Sequence, residues 1–222
     1  MTRKIKKILL SGKMGSGKTS TARALQEWCW KNKWLVQTIK FAEPLYAMHD
    51  AVRLVAESYD IPMLEKDGML LQMLGTNWGR HQFGDDVWVK ACLKKVAHTV
   101  DFWNMDLGVA THAIAGMVTL GFDVGITPGM IIIDDCRFEN EFTAFYDALR
   151  VRLVAPRDVR KGRCDSWRDN EEHLSEISLD KYEEQGRFDL TVNTALTSVE
   201  EVVSLILNVE RPDGRGEDNG KR

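Results

Sequence analysis

Residues 12–20 have the types and spacing of a loop that binds phosphate. They read Gly12-Lys13-Met14-Gly15-Ser16-Gly17-Lys18-Thr19-Ser20, and the run from Gly12 to Thr19 fits the pattern GxxxxGK[ST]. The glycines let backbone N–H groups turn towards a phosphate, and the start of a following helix adds partial positive charge. Lys18 is predicted to contact the β- and γ-phosphates, and Thr19 to bind Mg²⁺. The sequence therefore predicts a site for ATP with Mg²⁺.

A predicted strand precedes this loop, and a predicted helix follows it. The apolar run at residues 5–10 precedes it, and a segment with alanines and lysines at residues 18–33 follows it. Strand, loop and helix in this order are the context that supports the motif. Further strands are predicted at residues 34–41, 130–133, 151–155 and 188–192, and helices at residues 43–59, 70–81, 85–103, 139–149 and 198–208. The alternation predicts an α/β fold with a mostly parallel sheet and helices on both faces.

The length, composition and charge of the chain indicate the general class of protein. The chain has 222 residues, of which 44% are hydrophobic and 28% charged, and its formal net charge is −3. This balance favours one globular domain over residues 1–209 and gives no overall attraction to nucleic acid or anionic lipid. The 4 cysteines stand singly without a CxxC pair, which favours a reduced, cytoplasmic protein.

Two further segments carry predictions of their own. The uncharged stretch from Leu107 to Phe122 is shorter than the ~20 residues that cross a bilayer, so we expect buried helix and loop there and no membrane segment. It belongs to a longer apolar stretch, Leu107 to Pro128, whose role the sequence leaves open. Residues 210–222 carry no large apolar side chain and are expected to be a disordered tail.

A basic segment follows the predicted strand at residues 151–155. Residues 157–170 contain Arg157, Arg160, Arg163 and Arg168 and few apolar side chains, and we interpret them as a mobile loop. Such a segment suits a lid that closes over a phosphoryl group in transfer and neutralises its charge. We therefore predict a lid over about residues 156–175, with Arg157 and Arg168 as catalytic candidates, while the sequence leaves open which arginines close.

Three more blocks resemble the deoxynucleoside monophosphate kinases of tailed bacteriophages. They are LLQMLGTNWGR at residues 70–80 followed by Trp88, DCRFENE at residues 135–141, and HLSE at residues 173–176 before Phe188, Asp189 and Asn193. With the phosphate loop, the match runs in order over residues 5–207. The resemblance implies an adenylate-kinase-like fold that moves the γ-phosphoryl group of ATP to a deoxynucleoside monophosphate with Mg²⁺, in the host cytoplasm if the protein is phage-encoded. Leu174 stands where the family more often has proline.

An acceptor site follows from these blocks and from a nucleotide-binding region at about residues 41–103. Arg80 and Arg137 carry guanidinium groups, which suit bidentate binding of phosphate, and Arg137 is also a catalytic candidate. Asp135 follows a predicted strand, where parallel sheets bind ligands, so it can serve Mg²⁺, a sugar hydroxyl or the cap of the next helix. Aromatic residues among the candidates can stack on a base or pack in the core. The full set is Phe41, Arg80, Trp88, Asp135, Arg137, Asn140, Glu141 and Glu176.

Other classes of protein also contain a phosphate loop, and the sequence disfavours one of them and leaves two as alternatives. The sequence lacks the Asn-Lys-x-Asp tetrapeptide that selects guanine, so a GTPase is disfavoured. A kinase for another phosphorylated small molecule, of the phosphomevalonate or dephospho-coenzyme A type, remains an alternative. An ATP-dependent switch or packaging-type ATPase is a more distant one. The expected partners are small nucleotides, and the sequence distinguishes neither the accepted bases, nor deoxyribose from ribose, nor a monomer from a homodimer.

Overall fold

A parallel sheet lies at the centre of the protein. The structure is a computed structural model that describes residues 3–104, 127–164, 167 and 172–209. Within these residues, the strands are β1 (Ile5–Ser11), β2 (Leu35–Ile39), β3 (Gly129–Cys136), β4 (Leu149–Val154) and β5 (Leu190–Asn193). They form a five-stranded sheet in the order β2-β3-β1-β4-β5, and every neighbouring pair is parallel. This arrangement confirms the predicted α/β fold.

Helices cover both faces of the sheet. The described α-helices are α1 (Lys18–Lys31), α2 (Glu43–Glu57), α3 (Gly68–Gln72), α4 (His81–Phe83), α5 (Val87–Asn104), α6 (Glu139–Ala144), α7 (Arg157–Gly162), α8 (Leu174–Ile177), α9 (Asp180–Glu184) and α10 (Val199–Asn208). None of them combines the length and the hydropathy that a membrane crossing needs. Residues 107–126 of the apolar stretch, Arg168 and the predicted tail at residues 210–222 lie outside the described residues.

The sheet divides the core into two layers, because successive side chains of a strand point to opposite faces. On β3, Met130 and Ile132 belong to the layer under α1 and α10. Ile131 and Ile133 belong to the layer under α5 and α6. All four are fully buried, which explains why a strand covered on both faces has a continuous apolar sequence.

Two predicted elements differ from the structure, and a third agrees with it. The basic segment is not a loop at its start, because residues 157–162 form helix α7. Pro156 precedes this helix, Asp158 lies in its first turn and Lys161 in its last, an order that favours a helix and its dipole. The helix predicted at residues 139–149 ends at Ala144, and β4 begins at Leu149. The helix at residues 198–208 is confirmed, with Ser198 as its cap.

The helix predicted at residues 70–81 contains a π-helix, Met73–Arg80, between α3 and α4. Its buried glycines, Gly75 and Gly79, face neighbouring helices. The indole Nε1 of Trp88 donates to the Gly75 carbonyl at 2.9 Å. A Cβ atom at Gly79 would lie 2.1 Å from Cζ2 of Trp88, so the π-helix packs on α5 without room for a methyl group. Arg80 is the last residue of this π-helix, so this packing sets its position.

Gly79→Ala should lower the free energy of unfolding by about 1–3 kcal/mol, because the added methyl group overlaps the Trp88 indole and the core must shift to admit it. Urea denaturation followed by circular dichroism measures the change. Gly162→Ala is the matched control, since a Cβ atom there meets nothing within 4 Å, and its unfolding should change little. Equal stability of the two variants would contradict the close packing of the π-helix on α5.

Candidate active site

The phosphate loop joins β1 to α1 at the middle of the sheet. Gly15 has a φ of 77°, in the left-handed region, and a Cβ atom on it would lie 2.5 Å from the Arg160 carbonyl oxygen. Only glycine suits that position, although the pattern GxxxxGK[ST] leaves its residue type unspecified. Gly17 precedes the first residue of α1, Lys18, so the loop leads into a helix N-terminus that favours anions. Ser20 is exposed in the first turn of α1.

Lys18 is buried at the start of α1. Its Nζ donates to the carbonyl oxygens of Gly12 at 2.5 Å and Lys13 at 2.9 Å. Burial lowers the pKa of Lys18 to about 7, and the charge of Arg137 acts in the same direction, while Glu176 opposes it. At neutral pH the Lys18 amine is therefore divided between its charged and neutral forms. The oxyanions of a phosphate chain would restore the charge.

A cavity of about 410 Å³ opens beside the phosphate loop, within the usual size range of small-molecule sites. It brings together many of the predicted residues. Those on its walls are Lys18, Thr19, Phe41, Arg80, Trp88, Asp135, Arg137 and Glu141. The wall also contains residues that the sequence did not single out, namely Lys40, Ala42, Leu45, Tyr46, Asp134, Phe138 and Ser175.

Two neighbouring carboxylates at the end of β3 have different partners. The register between β1 and β3 pairs Leu9 with Ile133 and Ser11 with Cys136, so Asp134 and Asp135 together stand opposite one residue of β1. Both oxygens of Asp135 accept backbone hydrogen bonds, from Phe41 at 2.9 Å and from Ala42 at 3.0 Å. Asp135 thus anchors the connection from β2 to α2, and both its oxygens are engaged there.

Asp134 has the carboxylate oxygen that is available for a cation. It is 4% exposed, and its Oδ2 lies 3.5 Å from Nζ of Lys40. Its Oδ1 is buried without a hydrogen-bond partner in the described residues. Burial raises the pKa of Asp134, and Lys40 acts against this. With Thr19 on the same cavity wall, this oxygen fits a Mg²⁺ site better than the predicted Asp135 does.

Arg137 and Glu176 connect the cavity to the phosphate loop. The Arg137 guanidinium pairs with Oε1 of Glu176, and Oε2 of Glu176 accepts from the Met14 N–H at 2.7 Å. Glu176 is 5% exposed and comes from the short helix α8. The contact joins positions 162 residues apart. Glu176 therefore lies between the phosphate loop and Arg137.

Glu141 fixes the turn from β3 to α6. Its Oε2 accepts from the backbone N–H groups of Arg137 at 2.7 Å and Phe138 at 3.0 Å. Burial raises the pKa of Glu141 to about 7 despite these hydrogen bonds. Asn140 does not line the cavity, and its side chain donates to the Asp85 carbonyl at 3.2 Å and to Oδ1 of Asp86 at 3.1 Å.

The aromatic candidates lie in the core. Phe41 is 2% exposed and packs edge-on against Phe145, and Trp88 is 5% exposed with its indole N–H bonded to Gly75. Two other rings on the cavity wall, Tyr46 and Phe138, are more accessible to a ligand. Phe41 and Trp88 thus border the cavity as buried core residues, and apolar character alone does not distinguish such rings from exposed ones in the sequence.

Arginines of the predicted lid contact the phosphate loop and the end of β5. The Arg160 guanidinium donates to the Met14 carbonyl at 3.1 Å, and that of Arg163 donates to the Thr194 carbonyl at 2.8 Å. Arg157 lies 5.9 Å from the ring centre of Trp167. Arg160 was not among the catalytic candidates, and its contact with the loop has no signal in the sequence beyond the basic composition of the segment.

A charged network supports the loop from the side of β4. Arg152 is 3% exposed, and its guanidinium binds Glu183 at 2.8 Å, Asp180 at 2.5 Å and the Ser11 hydroxyl at 3.1 Å. Asp180 also pairs with Lys13 at 2.8 Å. Asp180 of α9 therefore contacts both the loop residue Lys13 and the buried Arg152 of β4.

Comparison with solved structures gives matches that include three of low sequence identity. No protein-family model matches the chain, and no curated protein matches it. The crystal structure of TT1252 from Thermus thermophilus is 17% identical with a TM-score of 0.44, covering 92% of this chain and 97% of that one. APE1195 is 12% identical with a TM-score of 0.42, covering 95% and 99%. Shikimate kinase from Acinetobacter baumannii in complex with shikimate is 12% identical with a TM-score of 0.43, covering 91% of each chain. At these values the matches assign no activity to this chain.

Binding of Mg·ATP at pH 8 should take up nearly one proton. Lys18, with a pKa of about 7, is mostly neutral at pH 8, and the bound phosphates would raise its pKa and protonate it. Calorimetric titrations in buffers of different ionisation enthalpy measure the uptake. At pH 6, where the amine is already charged, the uptake should be small. Binding heats at pH 8 that do not depend on the buffer would contradict this account of Lys18.

Proposed function

We propose that the protein is an ATP-dependent deoxynucleoside monophosphate kinase. It transfers the γ-phosphoryl group of ATP to the phosphate of a deoxynucleoside monophosphate and releases ADP and the diphosphate. One observation carries the proposal: a single cavity is lined both by Lys18 and Thr19 of the phosphate loop and by the arginines Arg80 and Arg137. A donor and an acceptor phosphate can therefore meet within it.

The donor side rests on the phosphate loop. Backbone N–H groups of the loop and the start of α1 would hold the phosphates of ATP, and Lys18 would bind the β- and γ-phosphates. Thr19 and the unpartnered oxygen of Asp134 would hold Mg²⁺. When bound, Mg²⁺ supplies positive charge that neutralises the phosphate oxygens during transfer.

The acceptor side rests on cations that flank the cavity. Arg80 and Arg137 would bind the acceptor phosphate through paired N–H donors, and Lys40 adds a third positive charge on the same wall. Phe138 supports Arg80, whose guanidinium carbon lies 4.7 Å from the ring centre. With both phosphates held, transfer proceeds in line through positioning and charge neutralisation. A general base is not needed, because the acceptor oxygen is already an anion.

The choice of a nucleotide as acceptor is supported by the sequence blocks at residues 70–80 and 135–141, which resemble those of the phage kinases. Both blocks contribute to the cavity wall, the first through Arg80 and the second through Asp135, Arg137, Phe138 and Glu141. Tyr46 and Phe138 offer flat faces on which a base can stack. The phosphate-binding arginines are independent of the base, so they fit several nucleotides.

A coupled assay for ADP formation tests the proposal directly. With Mg·ATP and one acceptor at a time, at least one of dAMP, dGMP, dCMP and dTMP should be turned over at 1–100 s⁻¹, the usual order for kinases. The corresponding ribonucleotides measure the preference for deoxyribose. Lys18→Met should reduce turnover by about a hundredfold or more, because charge stabilisation of this kind is typically worth that much.

Lys94→Met is the matched control, because Lys94 is an exposed lysine on α5 and lies outside the cavity wall. Its turnover should equal that of the native protein. If no nucleotide is phosphorylated while Mg·ATP binds tightly, the acceptor assignment is wrong, and other phosphorylated small molecules would be tried next. ATP hydrolysis that responds only to DNA or to another protein would favour a switch or packaging ATPase.

A further inference from the structure

The carboxylate of Glu176 bridges the phosphate loop and Arg137. Its Oε2 accepts the Met14 N–H of the phosphate loop at 2.7 Å. Its Oε1 pairs with the guanidinium of Arg137. The electrostatic neighbours of Lys18 include both Arg137 and Glu176. A negatively charged group with two oxygens thus contacts an amide donor and a cation that would otherwise face the phosphates.

A terminal phosphate would bind the same hydrogen-bond donors as this carboxylate. It is an anion whose oxygens accept hydrogen bonds from loop N–H groups and from arginine. In the proposed reaction, the γ-phosphoryl group passes from the phosphate loop towards Arg137. The two anions therefore require the same donors, and like charges this close repel each other.

Few buried side chains anchor the segment that contains Glu176. Helix α8 has four residues, of which Leu174 is 67% exposed and Ile177 39% exposed. Glu176 is the buried residue of this helix, and the next fully packed side chain along the chain is Leu179 at 1% exposure. Few apolar contacts oppose a displacement of the helix, and segments of this kind open at low free-energy cost.

We propose that Glu176 is an internal competitor of the γ-phosphate and withholds Arg137 from the acceptor until ATP displaces it. This inference rests on the proposed function, since it assumes that ATP binds at the phosphate loop. ADP lacks the terminal phosphate and leaves the pair between Glu176 and Arg137 in place. The site would therefore bind the acceptor phosphate better with ATP than with ADP, a coupling that works in both directions.

Nucleotide binding by three variants tests the proposal. Glu176→Ala should bind the β,γ-imido analogue of ATP about tenfold more tightly than the native protein, a change of about 1.4 kcal/mol, and should bind ADP within twofold of it. Glu176→Gln keeps the shape but not the charge, so its gain should be smaller. Glu172→Ala removes an exposed glutamate from the same segment and should change neither affinity. Calorimetry measures all the constants, and thermal melting confirms that each variant is folded.

Other results of these binding measurements would overturn the proposal. If Glu176 only positions Arg137 or binds the acceptor, Glu176→Ala and Glu176→Gln will bind the ATP analogue as the native protein does or more weakly, and the proposal is overturned. Should Glu176→Ala fail to fold, Glu176→Gln decides by the same criterion. Normal turnover of deoxynucleotides together with unchanged ratios of ATP analogue to ADP affinity would refute this inference alone. Failure of all the proteins to bind either nucleotide would refute the proposed function and the inference with it.

Discussion

A buried ammonium group needs anions or carbonyl oxygens around it, and the candidate active site is arranged around this requirement at Lys18. The carbonyl groups of Gly12 and Lys13 accept its hydrogen bonds. Glu176 and Asp134 add negative charge, while Arg137 and Arg152 add positive charge. Burial prevails, so the pKa of Lys18 falls to about 7. Without further anions, the site does not fully stabilise the charged form of Lys18. A bound phosphate would supply those anions.

Asp134 and Asp135 are adjacent at the end of β3 but have different contacts. The register shift against β1 places both aspartates opposite one residue of that strand, and such irregularities re-aim side chains next to functional sites. Asp135 holds the backbone at the start of α2, and α2 in turn contributes Tyr46 to the cavity wall. Asp134 keeps one oxygen uncommitted beside the phosphate loop. In the proposed reaction, these adjacent residues would therefore have different roles, Asp135 in holding the cavity wall and Asp134 in binding a cation.

Features that depend on neighbouring residues could be predicted from the sequence, whereas those that depend on distant contacts could not. The phosphate loop, the buried strand β3 and the capped start of α10 follow from local patterns, and the structure contains all three. The π-helix depends on the fit of Gly79 against Trp88, which no periodicity shows. The different contacts of Asp134 and Asp135 accompany an irregularity in the register between β1 and β3, which no local pattern shows. The position of Glu176 depends on a contact across 162 residues.

In the proposed reaction, donor and acceptor phosphates meet between Lys18 and Arg137 in one cavity. An adenosine and a deoxynucleoside joined through five phosphates form a molecule that spans both sites at once, so its binding is a direct test. We expect this molecule to bind about a hundredfold more tightly than ATP or the deoxynucleoside monophosphate alone, since linked ligands gain affinity when the geometry lets both engage. Affinity no greater than that of ATP alone would contradict the claim that the two sites face each other.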